Sequence, residues 1–437
     1  MASGADSKSQ RALKVLVIAE AANPEWVSVP LIGWSLAQAL GRRMDVHVVT
    51  QIRNREAILR AGWREGEDFT AIDSEAIARP LWALGSVLRM GNGKGWTALQ
   101  LINALSYPYF ERLIWRQFGA RIKAGEFDVV HRVTPLSPTI PSLLAKRCAQ
   151  VGVPFVMGPL NGGVPWPKGF DGERRREREW LSYVRGAYKA LPGRKASLKH
   201  AAAIITGSRF TQSEVPEKYQ KKCVYIPENA IDPVRFSGNA APTGQPLRAC
   251  FVGRMVPYKG PDMLLTAAEN LLRDGRMTLD IVGDGPMLEA LKQQAEDAGV
   301  SHAVTFHGWL AHDQVQGVLK RCNLMSFPSV REFGGGVVLE AMALGVPALI
   351  VDYAGPGELV KDGWGFKVPL GTRVQIIQGF EAELTRLAAE PDLVTAAGVQ
   401  AKNRIAQLLT WERKAAQIEE VYHWVLGRGE KPAPFED

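Results

Sequence analysis

The 437 residues are 46% hydrophobic and 22% charged, an ordinary globular mixture too long for one small core, so two large domains are expected. No apolar run approaches the ~20 residues that span a bilayer. Four scattered cysteines (Cys148, Cys223, Cys250, Cys322) exclude paired metal spacing and are expected reduced in the interior of a cytoplasmic protein. The net charge of +8 is uneven: residues 1–240 hold 34 Lys+Arg against 21 Asp+Glu, and residues 241–437 hold 19 against 24. A basic first half suits an anionic partner, or is a solvated surface of uneven sign.

The polar start MASGADSKSQRALK lacks a signal-peptide core, and residues 1–12 are expected as a disordered lead-in. Residues 14–19 (KVLVIA) are a short continuous apolar run, the mark of a strand covered on both faces. Residues 31–40 are helical in spacing, and 46–50 form the next strand. The apolar stretches within 80–120 predict packed helices. Residues 127–130, 155–158 and 203–206 read as later strands of the same sheet. Residues 158–170 (GPLNGGVPWPKGF) form a rigid, open loop at a strand's end. Residues 174–199 hold nine basic and two acidic residues interleaved with aromatics. That segment reads as a helix lying on an anionic membrane, or as a helix packed on the sheet with a solvated basic face. No nucleic-acid recognition module accompanies the charge, so nucleic acid is not expected as a partner.

Residues 229–246 collect prolines, glycines and small polar residues, the composition of an interdomain linker. Beyond them the same grammar starts afresh. Strands at 247–252, 279–282, 304–306, 324–327 and 348–351 alternate with helices at 264–272, 287–298, 314–321 and 337–344. The segment 409–427 closes the chain as a helix. Alternating strands and helices predict an α/β fold of two Rossmann-like parallel-sheet domains, 13–228 and 247–408. Ligands bind beyond the carboxyl ends of such strands, so a cleft between the domains suits a two-part substrate.

Two groups in the second half carry candidate chemistry. In FVGRMVPYKG, Gly253, Arg254 and Lys259 follow a strand. Arg grips a phosphate with parallel N–H bonds and Lys adds a point charge. Read alone, the two cations are surface residues. The downstream stretch SVREFGGGVVLEAMALGVPALI reverses that preference. There Glu332, Phe333, Gly334, Gly335, Gly336 and Glu340 bracket the start of a helix. Bare glycine amides at a helix start attract an anion, and a carboxylate accepts hydroxyl hydrogen bonds. Asp280 and Asp284 are not read as metal ligands, because Asp284 sits in a G-D-G turn and no cluster has metal-ligand spacing.

These landmarks resemble the donor domain of retaining glycosyltransferases of the GT-B fold, family four (glycosyl transferases group 1). IPENAIDPVRF, VGRMVPYKGPDMLL, LDIVGDGPMLEAL, VTFHGWL, the acid–glycine stretch and TWERKAAQIEEVY occur in the family's order. The resemblance covers roughly 203–425 well, and the first half more loosely through KVLVIAE and FDVVH. It implies a GT-B fold facing a central cleft, hexosyl transfer with retention of configuration, and a last helix crossing back to the first domain. It implies that Arg254 and Lys259 bind the donor diphosphate, that Glu332 contacts the donor sugar, and that Glu340 holds the ribose. No metal or other cofactor is implied, and a donor phosphate oxygen would accept the acceptor's proton.

The first domain departs from the family's pattern. Where a Gly-Gly pair is common, Ser28 stands, with Gly33 later. Where a second histidine is common, Val133 stands, with His131 before it. His131 reads first as a core histidine and is kept as an acceptor-side candidate with Asn161, Gly162 and Gly163. The expected partners are a nucleotide-sugar donor, a glycan or lipid-linked acceptor and a membrane surface at 174–199. The rival readings are a sugar-nucleotide epimerase on the same plan and a non-catalytic sugar-nucleotide-binding module.

Overall fold

The structure, a computed structural model, describes residues 12–76, 96–172, 193–240 and 246–435. Most of the expected lead-in, residues 80–95 of the expected helices and residues 174–192 of the basic segment lie outside the described residues. Among the described residues the strands fall into two parallel sheets. The first contains β1 (Lys14–Ala19), β2 (Asp45–Gln51), β3 (Phe69–Ile72), β4 (Val129–Thr134), β5 (Phe155–Leu160), β6 (Ala203–Thr206) and β7 (Cys223–Tyr225), in the order β3-β2-β1-β4-β5-β6-β7. The second contains β8 (Leu247–Val252), β9 (Met277–Val282), β10 (Val304–Gly308), β11 (Leu324–Phe327), β12 (Ala348–Asp352) and β13 (Gly365–Pro369), in the order β10-β9-β8-β11-β12-β13.

The sequence of β1 shows why its sheet is covered on both sides. Successive strand side chains point to opposite faces. Val15, Val17 and Ala19 enter a core shared with the helices Val29–Gly41 and Trp411–Val425. Leu16 and Ile18 enter a second core under the helix Trp96–Lys123, which presents Tyr107, Phe110, Ile114, Phe118 and Ile122 at three- and four-residue spacing. Each large apolar side chain so buried contributes about 1.5–3 kcal/mol. The second sheet and its helices enclose a core of their own around Phe251, Phe327 and Ile350.

Both sheets reverse their strand order once beside their first strand, between β1 and β4 and between β8 and β11. Loops leaving neighbouring carboxyl ends diverge there and open a crevice.

The chain passes between the sheets at two points that lie side by side. Ile231 N–H donates to Leu409 O at 2.8 Å, and Trp411 N–H donates to Ile231 O at 3.2 Å. Phe236 is buried in the second core, and Ala240 N–H donates to Leu344 O at 2.7 Å. The described part of 229–246 is therefore a packed crossing rather than a loose tether. The closing helix Trp411–Val425 lies on the first domain's helix Val29–Gly41, with Arg42 paired to Glu412 at 2.5 Å and Arg43 bonded to Glu419 at 2.8 Å. No helix among the described residues is long and apolar enough to cross a membrane.

Candidate active site at the crevice of the second sheet

The loops 253–260 and 328–335 leave the carboxyl ends of β8 and β11 next to each other. Each ends on a glycine in left-handed backbone, Gly260 (φ 69°) and Gly335 (φ 58°), and each glycine opens a helix, Pro261–Arg273 and Gly336–Ala343. Lys259 and Glu332 meet across the crevice: the ammonium donates to the carboxylate and lies 5.0 Å over the Phe327 ring. The side chains are 15% and 19% exposed, mostly desolvated yet reachable. Gly253 lies against the Lys259 stem; a methyl built on it would stand 3.3 Å from Lys259 Cδ.

Arg254 does not join this pair. Met255 is buried, its N–H bonded to Asp284 O at 2.8 Å. The Arg254 side chain is exposed, and its guanidinium makes no hydrogen bond or ion pair among the described residues. Arg254 and Lys259 lie in the same loop after β8, Arg254 exposed and Lys259 half-buried.

Phe333, Gly334, Gly336 and Glu340 line a cleft of about 620 Å³ that opens between the two sheets. A Cβ on Gly334 would lie 2.1 Å from Asn229 Nδ2 and 3.3 Å from Glu228 Oε1, so the crossing segment packs directly on this loop. Gly335 turns instead toward Leu359 and Pro356. Glu340 Oε1 lies 3.4 Å from His312 Nε2. Burial pushes the Glu340 carboxyl up to about 8, opposed by the nearby Arg235 cation. His312 starts the helix His312–Arg321 and meets Phe236 edge-on at 5.3 Å. Burial lowers its pKa, and its Nε2 has no hydrogen-bond partner among the described residues.

The opposite wall comes from the first domain and the crossing segment. Asn161 and Gly163 line it, but Gly162 does not; its N–H is bonded to Thr211 Oγ1 at 3.0 Å. The loop 158–170 mostly docks on the second domain. Tyr353 O–H donates to Pro165 O at 2.9 Å, the Trp166 ring meets Tyr258 edge-on at 6.0 Å, and Phe170 enters the second core. Asn161 donates to the Glu228 carboxylate, which burial holds up at about 7.

His131 is corrected from an acceptor-side candidate to an interior residue. It is 0% exposed, with Nε2 2.7 Å from Gly158 O and Nδ1 2.5 Å from Tyr422 Oη. A carbonyl only accepts, so Nε2 carries the proton and Nδ1 accepts from Tyr422. Burial pulls the imidazole down to about 4, so it is neutral at pH 7. Val133 is likewise buried in the first core. Ser28 lines the cleft at φ 65°, a backbone region that a glycine would occupy without strain.

Sequence reasoning missed Glu228, Arg235 and His312. The first two lie in IPENAIDPVRF, a stretch read as a landmark and a linker edge. An acid next to an Asn just before a domain crossing is the signal that could have singled out Glu228.

A glycosyltransferase of Methanocaldococcus jannaschii, named as uncharacterized, is 35% identical over 286 residues, covering 60% of this chain and 68% of that protein. The chain belongs to the group 1 glycosyltransferases. The family profile described as Glycosyl transferases group 1 matches residues 236–382. A D-inositol 3-phosphate glycosyltransferase of Rhodococcus jostii is 33% identical over 180 residues, covering 39% of each chain. Alignments with the first curated relatives span 39% to 59% of those proteins' lengths. In fold, this group 1 glycosyltransferase is similar to the Anabaena protein HepE, solved in complex with UDP. The TM-score is 0.58 at 16% identity, covering 93% of this chain and 99% of that one. The matched profile contains Lys259, His312, Glu332 and Glu340, whereas Asn161 and Glu228 precede it.

Proposed function

We propose that the protein transfers a hexosyl group from a nucleoside-diphosphate sugar to an acceptor hydroxyl with retention of anomeric configuration. The Lys259–Glu332 pair carries this reading. It joins a cation and an acid at the strand-order reversal of the second sheet, beside a glycine-rich helix start and a cleft wall from the other domain. Lys259 has three donors, so it can hold Glu332 and still donate to a diphosphate. The unpaired amides at the start of Gly336–Ala343 add partial positive charge. Together they stabilise the departing diphosphate without a metal cofactor. Glu332 orients the sugar, and Glu340 accepts from the ribose hydroxyls. The acceptor oxygen bonds to the anomeric carbon as the carbon–phosphate-oxygen bond breaks. The diphosphate leaves with the electron pair, and one of its oxygens takes the acceptor's proton.

The cation surplus of residues 1–240 supports an anionic or lipid-linked acceptor, in cytoplasmic synthesis of a polysaccharide or glycolipid. The test is incubation with UDP-glucose and GDP-mannose and a panel that includes D-inositol 3-phosphate, with the product's anomeric configuration read by NMR. A product of unchanged configuration supports the proposal. An inverted product removes the retaining step. Conversion of the donor sugar to its epimer with no acceptor present replaces transfer by isomerisation.

A further inference from the structure

Glu228 stands where the two half-sites meet. Its backbone is clamped on both sides: Glu228 N–H donates to Gly207 O at 3.1 Å, and the buried Lys414 ammonium donates to Glu228 O at 2.5 Å. The residue is 7% exposed, yet it lines the cleft. Its two carboxylate oxygens have different surroundings. Oε2 accepts from the Asn161 amide of the first domain, and Asn161 is itself fixed, its Oδ1 accepting from Gly163 N–H at 3.1 Å and its N–H donating to Leu136 O at 2.8 Å. Oε1 makes no hydrogen bond among the described residues and lies toward Gly334, where a Cβ would stand 3.3 Å away. A fixed carboxylate thus keeps one accepting oxygen free, two positions from Glu332 along the neighbouring loop.

We propose that Glu228 is the cleft carboxylate that orients the incoming acceptor, its Oε1 accepting a hydrogen bond from the hydroxyl that attacks the sugar. The inference rests on the glycosyl-transfer reading and adds a residue to it. Asn161 is then a positioning residue: by holding Oε2 it aims Oε1. The proton still passes to the diphosphate, so Glu228 need not change its own protonation in the step. Four charged or polar groups surround it: Asn161 from the first domain, Asn229 beside it, Lys414 from the closing helix and Glu332 from the second domain. Lys414 favours the ionised, accepting form, while burial and Glu332 oppose it.

Glu228→Gln tests the role, because the shape is kept while an accepting oxygen becomes a donating amide. Calorimetry with UDP-glucose and GDP-mannose measures donor affinity. Turnover of the donor that binds is measured with water and with D-inositol 3-phosphate as acceptor probes. The expected result is donor Kd within about twofold of the parent and turnover lower by about 100-fold, the scale of a misplaced reactant. Asn161→Ala, which frees the same carboxylate without removing it, should lower turnover in the same sense at unchanged donor Kd; this keeps the test open if the first variant does not fold. Unchanged turnover in a folded Glu228→Gln protein overturns the orienting role and leaves the transfer reading standing. So does a donor Kd weakened as much as the turnover, which would make Glu228 a donor contact. If the parent protein neither binds nor turns over either donor, the transfer reading falls and this role with it.

Discussion

Lys259 and Glu332, 73 positions apart in sequence, form one ion pair at the carboxyl ends of β8 and β11. Replacing either partner leaves the other charge mostly desolvated and unpaired. Lys259→Met and Glu332→Gln should each destabilise the fold, whereas the double variant removes both charges. A double-mutant cycle in urea should therefore give a coupling of about 1–3 kcal/mol. Additive losses would show that the two side chains do not hold each other.

Gly334 and Gly335 are adjacent but answer to different constraints. Gly335→Ala places a side chain at φ 58°, which should cost about 1–2 kcal/mol of stability. Gly334→Ala is not forced into that region, but its methyl meets the Asn229 amide at 2.1 Å. It should displace that amide and lower turnover more than it lowers Tm. Thermal melts and donor turnover of the two variants separate the effects.

Glu340 gives donor binding a pH dependence. With its carboxyl near 8 in the free protein, the group carries a proton at pH 7. Ribose hydroxyls donate to the ionised form, so binding lowers the pKa and expels that proton. Donor affinity should rise as pH increases toward 8, and calorimetry at pH 7 in buffers of different ionisation enthalpy should show proton release. Glu340→Gln should abolish the release. Proton uptake by the parent would contradict the assignment.

His131 and Tyr422 tie the closing helix to β4. Tyr422→Phe leaves a buried imidazole nitrogen without its donor and should cost about 1–3 kcal/mol, with donor affinity of the folded protein unchanged. Because burial holds His131 near 4, the unfolded chain binds a proton between about pH 6.5 and 4 that the native chain refuses. This residue therefore makes stability fall as pH drops through that window.

The doubly wound architecture was legible because strands such as 247–252 and 324–327 are continuous apolar runs that only a covered parallel sheet explains; the structure places β8 and β11 at those bounds. The edge strands β3, β7 and β13 are not among the expected strands. The helices Arg373–Ala389 and Pro391–Leu408 were also passed over, since their buried faces are narrow and interrupted by Gly379 and Gly398. At the site, the acid–glycine stretch pointed to Glu332 and Glu340 because chemistry and spacing lie within one segment. For Arg254 a cation after a strand carries no mark in the sequence of which way it faces, and the structure leaves its side chain exposed. Glu228 was underread, since proline and small polar residues in 229–246 suggest a tether whether or not the chain is packed. Its burial depends on Asn161 and Lys414, which are remote in sequence.

The proposed donor site brings Lys259, Glu332 and Glu340 onto one nucleoside-diphosphate sugar. Calorimetric titration of the parent and of Lys259→Met with UDP-glucose and GDP-mannose tests it most directly. Saturable one-to-one binding of at least one donor to the parent is expected, weakened by about tenfold or more in the variant through loss of a charge-assisted contact to phosphate. No binding of either donor to the parent, or equal binding to a folded Lys259→Met protein, would contradict it.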